Sequence, residues 1–269
     1  MAHRAPAGPG ALQSSAHLVL AAATDPRNRP LVDVGPDDFL ISEAGAAREL
    51  LSVRIADYPI VVAVDTRADA SADFPQIQQA ARHFIERLGA DRPVVVGTLG
   101  RSPKTIATFD DSRTIVLERF GALTPDAPGD RPRLLTGIAA AANALRAAQS
   151  LFSAVVVLSS APGETAGSGE DDPVPAIIAS SAIVHAIVNQ RGGAGGIREL
   201  RALVAQTRGE LTPIYSASSY LAAVDRLADR LLSELLIEYI SPTGSKATDV
   251  KVGIRVPGAR VRGLGVAPR

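Results

Sequence analysis

The residues best placed to do chemistry lie in one stretch, Ile60 to Asp69, reading IVVAVDTRAD. An uninterrupted apolar run, mostly β-branched, stops at Asp65. Such a run suits a strand buried on both faces. A carboxylate at its carboxyl end stands where open α/β sheets bind their ligands. A phosphatase with an aspartate nucleophile would want a second Asp two positions on, and Arg67 stands there instead. His3, His17, His83 and His185 do not cluster, and no matched Ser or Cys nucleophile supports a triad. His185, inside a strand, and His83, beside a helix's apolar face, read as structural. There is no G-x-G-x-x-G after the first strand, no G-x-x-x-x-G-K-[ST], and no G-x-S-x-G elbow at Ser159-Ser160. Gly192–Gly196 reads as a flexible connector, and the acidic run Glu164, Glu170, Asp171, Asp172 as a solvated loop. These patterns favour a binding or structural module over an enzyme.

Composition narrows the classes further. At 269 residues with 46% hydrophobic content the chain can bury a large core. Basic and acidic residues balance at 28 each. That balance argues against phosphate neutralisation, so nucleic acid is not an expected partner. The absence of cysteine removes disulfides and thiolate metal sites. No apolar run approaches the roughly 20 residues of a spanning helix. The opening residues MAHRAPAGPGALQSSAHLVL lack a sustained apolar core, so no signal peptide is read and the compartment stays open between a cytosolic protein and an incomplete N-terminus.

The elements that must position Asp65 follow from periodicity. Residues 1–15 are expected to form a loose tail, and 16–57 an N-terminal β segment. In that segment His17–Thr24, Asp38–Ser42 and Glu49–Ile55 read as a short antiparallel meander. From 58 to 236 apolar strands alternate with helices. Phe74–Leu88 is an amphipathic helix with Asp73 as N-cap and Gly89 as its stop. Pro93–Leu99 is a strand, with Thr105–Asp110 as its expected hairpin partner. Ser112–Phe120 and the Ala-rich Leu134–Leu151 are helices. Ala154–Ser159, Ile183–Val188 and Leu211–Tyr215 are strands, separated by helices at Pro175–Ser181 and Ile197–Thr207. Tyr220–Leu236 is an amphipathic helix, with Leu235–Ile240 partly strand. In the last segment, 237–269, Thr248–Val256 alternates cleanly and Arg260–Gly265 returns. Strands at both ends of the chain need a common partner, so they are expected to meet in one small sheet or sandwich.

This order of motifs resembles the von Willebrand factor A family, and most of all its exported bacterial relatives. The leader carries Asp25 to Val34 (DPRNRPLVDV) and Asp37 to Gly45 (DDFLISEAG). The tail carries Glu234 to Tyr239 (ELLIEY) and Val250 to Gly258 (VKVGIRVPG). The likeness spans roughly residues 17 to 266 and implies a doubly wound, mostly parallel sheet flanked by helices, with one antiparallel edge strand. It also implies an exported protein. The family's chemistry lies in a metal-ion-dependent adhesion site, D-x-S-x-S on one loop, Thr on a second and Asp on a third. Hard cations want such oxygen ligands and an open position for a partner's carboxylate.

The sequence departs from that pattern. Arg67 and Asp69 stand where the two serines belong, Thr136 matches the Thr, and Ser160 stands where the family has Asp. Arg67 cannot ligate a metal, so no high-affinity divalent cation and no cofactor are expected. Two readings of Arg67 follow: its guanidinium takes the metal's place between Asp65 and Asp69, with donors to spare for a partner's acidic side chain, or it points into solvent and the loop has simply decayed. The expected function is a non-enzymatic interaction or scaffold module for an unidentified protein partner, with Asp65, Arg67, Asp69, Thr136 and Ser160 as binding residues. The alternative is a doubly wound hydrolase or transferase acting at the strand ends around Asp65, Thr136 and Ser160.

Overall fold

A computed structural model describes residues 14–100, 102–127, 134–160, 172–190, 197–242 and 249–268, with backbone only at Ser14, Asp69 and Pro268. Most of the expected tail, the acidic loop after Ser160, the glycine connector 192–196 and most of the turn after Ser241 lie outside the described residues. The chain divides into two compact units. One is built from residues through Ala56 together with Ser233 onward, the other from Asp57–Leu232.

The first unit contains strands β1 (Ser14–Thr24), β2 (Phe39–Glu43), β3 (Ala46–Arg48) and β4 (Leu50–Ile55). From the far end of the chain come β10 (Leu235–Pro242), β11 (Val250–Ile254) and β12 (Arg260–Pro268). They form two sheets, ordered β12-β1-β10-β4 and β11-β2-β3. The expected joining of N- and C-terminal strands is therefore present. The expected meander is not: β1 pairs with β10 and β12, whereas β2 pairs with β3 and β11. Hydrophobic alternation reveals which face of a strand is buried but says nothing about its neighbour. Val19, Ala21, Phe39, Ile41, Leu235, Ile237 and Tyr239 make the core.

A charged cluster is buried beside that core. Glu43 accepts from Arg48 Nε at 3.0 Å, from the Ser241 hydroxyl and from Tyr239 OH at 3.4 Å. His17 lies edge-on to Tyr239 and 3.7 Å from the Glu43 carboxylate. Burial, and then the Glu43 charge and hydrogen bond, push the Tyr239 phenol up to about 12.

The second unit holds the sheet that positions Asp65. Strands β5 (Ile60–Val64), β6 (Val94–Thr98), β7 (Ala154–Ser159), β8 (Ile183–Asn189) and β9 (Leu211–Ile214) are all parallel, in the order β6-β5-β7-β8-β9. Helices α1 (Phe74–Arg87), α2 (Arg113–Gly121), α3 (Leu134–Ala147), α4 (Val174–Ala179), α5 (Ile197–Gln206) and α6 (Tyr220–Leu231) flank it. Residues from α3, α4 and α5 bury with Val61, Ala63, Val155, Val157, Val184 and Ala186. All five residues of β5 are 0% exposed, which explains its run of apolar residues without polar alternation. Helix α1 packs on α6 and α2, and His83 Nε2 lies 2.8 Å from Asp225 on α6.

Two further expectations change. The segment expected as an antiparallel edge strand, Thr105–Asp110, touches β6 only at the bridge Gly97–Thr105, with Ile106 N–H donating to Val96 O. It then leaves the sheet because the Asp111 carboxylate accepts from both the amide and the hydroxyl of Thr108 and closes a turn. The last helix stops at Leu231, not Leu236, and Leu235–Leu236 open β10. A continuous apolar run carries no period that separates the two states.

Candidate functional site

Parallel register builds the site. Val64 pairs with Leu158, and the Asp65 amide donates to Leu158 O at 2.9 Å, so Asp65 and Ser159 leave their strands side by side. The backbone after Asp65 then turns back over its carboxylate. Arg67 N–H reaches Asp65 Oδ1 at 3.1 Å, the local bond that Asp favours in turns. That turn brings the Arg67 side chain onto the same group. Nε donates to Oδ1 at 2.8 Å and Nη2 to Oδ2 at 2.7 Å, a two-pronged guanidinium–carboxylate pair. The Ser159 hydroxyl donates to Oδ2 at 2.6 Å and accepts from Nη2 at 3.2 Å. Asp65 and Ser159 are 0% exposed and Arg67 is 6% exposed. Charges so far from water persist only when paired and hydrogen-bonded.

A second ring of buried groups braces this one. Tyr220, at the start of α6, donates its hydroxyl to Ser159 O at 2.7 Å. Asn189, ending β8, donates Nδ2 to Asp73 Oδ2 at 2.7 Å. Asp73 occupies the N-cap position of α1, as expected, but its side chain makes no capping bond. Its carboxylate is engaged by Asn189 instead. Asn189 is 0% exposed, and its Oδ1 has no hydrogen-bond partner among the described residues.

The sequence-selected residues meet unequally. Asp65 and Arg67 come together. Asp69 belongs to a short 3-10 turn, 68–70, and its side chain lies outside the described residues. Thr136 is exposed on the first turn of α3. The next residue, Gly137, lies close against Leu99: a Cβ there would sit 2.7 Å from Leu99 Cδ2 and 3.0 Å from its Cα, so a larger residue would force Leu99 to shift. Ser160 is half-buried, and the hydroxyl bonded to the Asp65 carboxylate is not its own. Ser159, one residue earlier, takes that place. Its signal was available, because IVVAV-D and AVVVL-S, aligned at the ends of their apolar runs, put Asp65 level with Ser159. Asn189 and Tyr220 carried no comparable signal.

Beside the Asp65 loop lies a cleft of about 360 Å³, bordered by Thr66, Thr98, Ser102, Lys104, Thr124 and Asp126. Gly100 packs tightly against two of its lining residues: a Cβ there would stand 2.1 Å from both Thr66 Oγ1 and Asp126 Oδ2. The Asp126 amide donates to Thr66 O at 2.7 Å and ties the cleft to the loop.

A doubly wound parallel sheet with a polar site at its strand ends, joined to strands from both chain ends, defines a fold class, that of the von Willebrand factor type A domains. Compared by structure, the chain is similar to a von Willebrand factor type A protein from Catenulispora acidiphila, with TM-score 0.52 and 12% identity over 94% of this chain and 73% of that one. It is also similar to proximal thread matrix protein 1 of the mussel byssus, a structure described as having a zinc-occupied MIDAS motif. There the TM-score is 0.51 and the identity 13%, over 70% of this chain and 48% of that one. Compared by sequence, the chain matches no protein-family model and no curated protein. Among the described residues no helix is long and apolar enough to cross a membrane.

Proposed function

We propose that this chain is a non-catalytic protein-interaction or scaffold module whose strand-end site is filled by its own cation, the Arg67 guanidinium, in place of a bound divalent metal. The observation that carries this reading is the two-pronged bond from Arg67 to both carboxylate oxygens of Asp65. The residues present do not fit a Mg²⁺-type ion. Such an ion needs several oxygen ligands at close range, while Asp65 already spends both oxygens on Arg67 and Ser159. A non-catalytic role is supported by the bonding of Ser159, whose hydroxyl donates to a buried Asp65 carboxylate already paired with Arg67, with no histidine beside it among the described residues. His185 pairs with Val156 in the middle of the sheet, away from this hydroxyl. The VWA fold itself suits a partner that docks on the loops at the strand ends.

Calorimetric titration with Mg²⁺ and Mn²⁺ tests the site. The expected result is no micromolar binding to the wild type, and micromolar binding abolished by Asp65→Ala would overturn the reading. Capture of partners from native cells with wild-type, Arg67→Ala and Arg67→Lys baits, each checked for folding, tests the surface. Loss of one specific partner with both variants places docking at this loop, and full retention moves it elsewhere.

A further inference from the structure

A second cavity of the Asp57–Leu232 unit, about 890 Å³, lies at the opposite, amino-terminal end of the sheet. It exists because its walls are built short. Thr105–Asp110 pairs with β6 at one bridge and then turns away, and the last turn of α3 offers only Ala144 and Ala147, followed by Ala148. Pro59 and Pro93, which precede β5 and β6, carry no N–H. Their carbonyls are already taken by the amides of Ala154 and Ile60. The strand ends therefore offer the cavity little backbone polarity.

The charge on its walls is of one sign. Among the described residues the only charged ones in the lining are Asp57 and Asp110, and none is basic. Asp57 has a neighbour of opposite charge, with Arg92 Nε 3.9 Å from its Oδ1 and the Arg92 guanidinium 5.3 Å from the centre of the Tyr58 ring. Asp111, next in the chain, binds Arg119 at 2.9 Å. Asp110 has no ion pair or hydrogen bond among the described residues. It follows Phe109, a half-buried ring on the same cavity wall. A carboxylate with no cation of its own is the group in this lining that would attract one. A cavity of roughly 300–1,000 Å³ has the size of a small-molecule site, and Pro59, Pro93 and the alanines of α3 give this one an apolar side.

We propose that this cavity binds an organic ammonium ligand, an apolar body ending in a protonated amine, with the amine at Asp110 and the body against Pro59, Pro93 and the alanines of α3. The proposal is independent of the reading of the Asp65 site. The test uses the full chain and three matched probes, n-hexylammonium, hexanoate and hexanol, followed by saturation-transfer NMR and calorimetry. A ligand of this size supports a dissociation constant on the order of 1 mM. Hexylammonium is expected to saturate in that range and hexanoate to bind about tenfold more weakly or not at all. Asp110→Asn, at an exposed position, is expected to weaken hexylammonium about three- to tenfold and to leave hexanol unchanged. Equal binding of hexanoate and hexylammonium, no saturation by hexylammonium, or an unchanged affinity in Asp110→Asn would each overturn the proposal.

Discussion

Removal of the Arg67 guanidinium is the perturbation that exposes most about the Asp65 site. In Arg67→Ala the Asp65 carboxylate keeps the Ser159 hydroxyl and the backbone amide of residue 67. It loses the bonds from Nε at 2.8 Å and Nη2 at 2.7 Å. The carboxylate is fully buried, so the variant holds an uncompensated charge. Breaking one side of such a pair costs about 3–5 kcal/mol, whereas exchanging both partners for neutral groups of similar shape is close to neutral. Asp65→Asn/Arg67→Met should therefore be more stable than the sum of its single variants predicts, by about 2–3 kcal/mol. For a unit of this size, 3 kcal/mol corresponds to a fall in Tm of about 6–12 °C. Urea unfolding and thermal melts of the wild type, both singles and the double measure this directly. Millimolar Mg²⁺ adds a second readout. If the guanidinium stands in a cation's place, the ion should recover part of the Tm lost in Arg67→Ala and do nothing for the wild type. An Arg67→Ala variant within about 0.5 kcal/mol of wild type, or strictly additive singles, would refute the argument, because neither is compatible with a buried and mutually dependent pair.

Two other groups make separable predictions. The phenol of Tyr239 is pushed up to about 12 in the folded state, against an ordinary value of 10.0. The folded chain thus holds this proton more tightly than the unfolded one. The contribution is fully present below pH 10 and is lost as pH rises towards about 12. Tyr239→Phe should flatten that part of the stability-against-pH curve, read from urea melts at about pH 9 and about pH 11, and an unchanged slope would count against the burial argument. Asn189→Asp sets a second carboxylate against Asp73, whose Oδ2 lies 2.7 Å from the present amide nitrogen. It should destabilise the chain by about 3 kcal/mol at neutral pH and by much less in acid, where one carboxyl takes up a proton. Equal destabilisation at both pH values would show that Asp73 and Asn189 do not share a buried charge.

Most of the fold was legible because two periods dominate the sequence. The apolar blocks IVVAV, VVVGT and AVVVL cannot alternate with polar residues, so they read as strands covered on both sides, and the helices between them carry a clear 3.6 period. What failed to show was pairing. Thr105–Asp110 has the composition of a strand, but one carboxylate at Asp111 captures Thr108 and ends the ladder. In the β unit, β1 finds both of its partners more than 200 positions away, in β10 and β12. No local pattern specifies such distant neighbours, and the choice depends on how the whole apolar surface closes.

The site was half legible for a related reason. A carboxylate at a strand end and an arginine two residues on form a local pair, and the turn that joins them is encoded within three positions. Ser159 belongs to another strand, and only register assigns it. A motif comparison counts along the chain and selects Ser160, whereas the parallel ladder fixes the level at which two strands end and selects Ser159. The difference matters chemically. A serine beyond the strand would face the loops and any partner above them. A serine level with Asp65 points at the carboxylate and holds it, while Tyr220 holds the serine's own carbonyl. With its guanidinium supplied within the chain, the proposed module needs no exchangeable ion to assemble its binding face. Its partner affinity should therefore be indifferent to chelators, and a docking interaction lost in EDTA and restored by Mg²⁺ would contradict that reasoning.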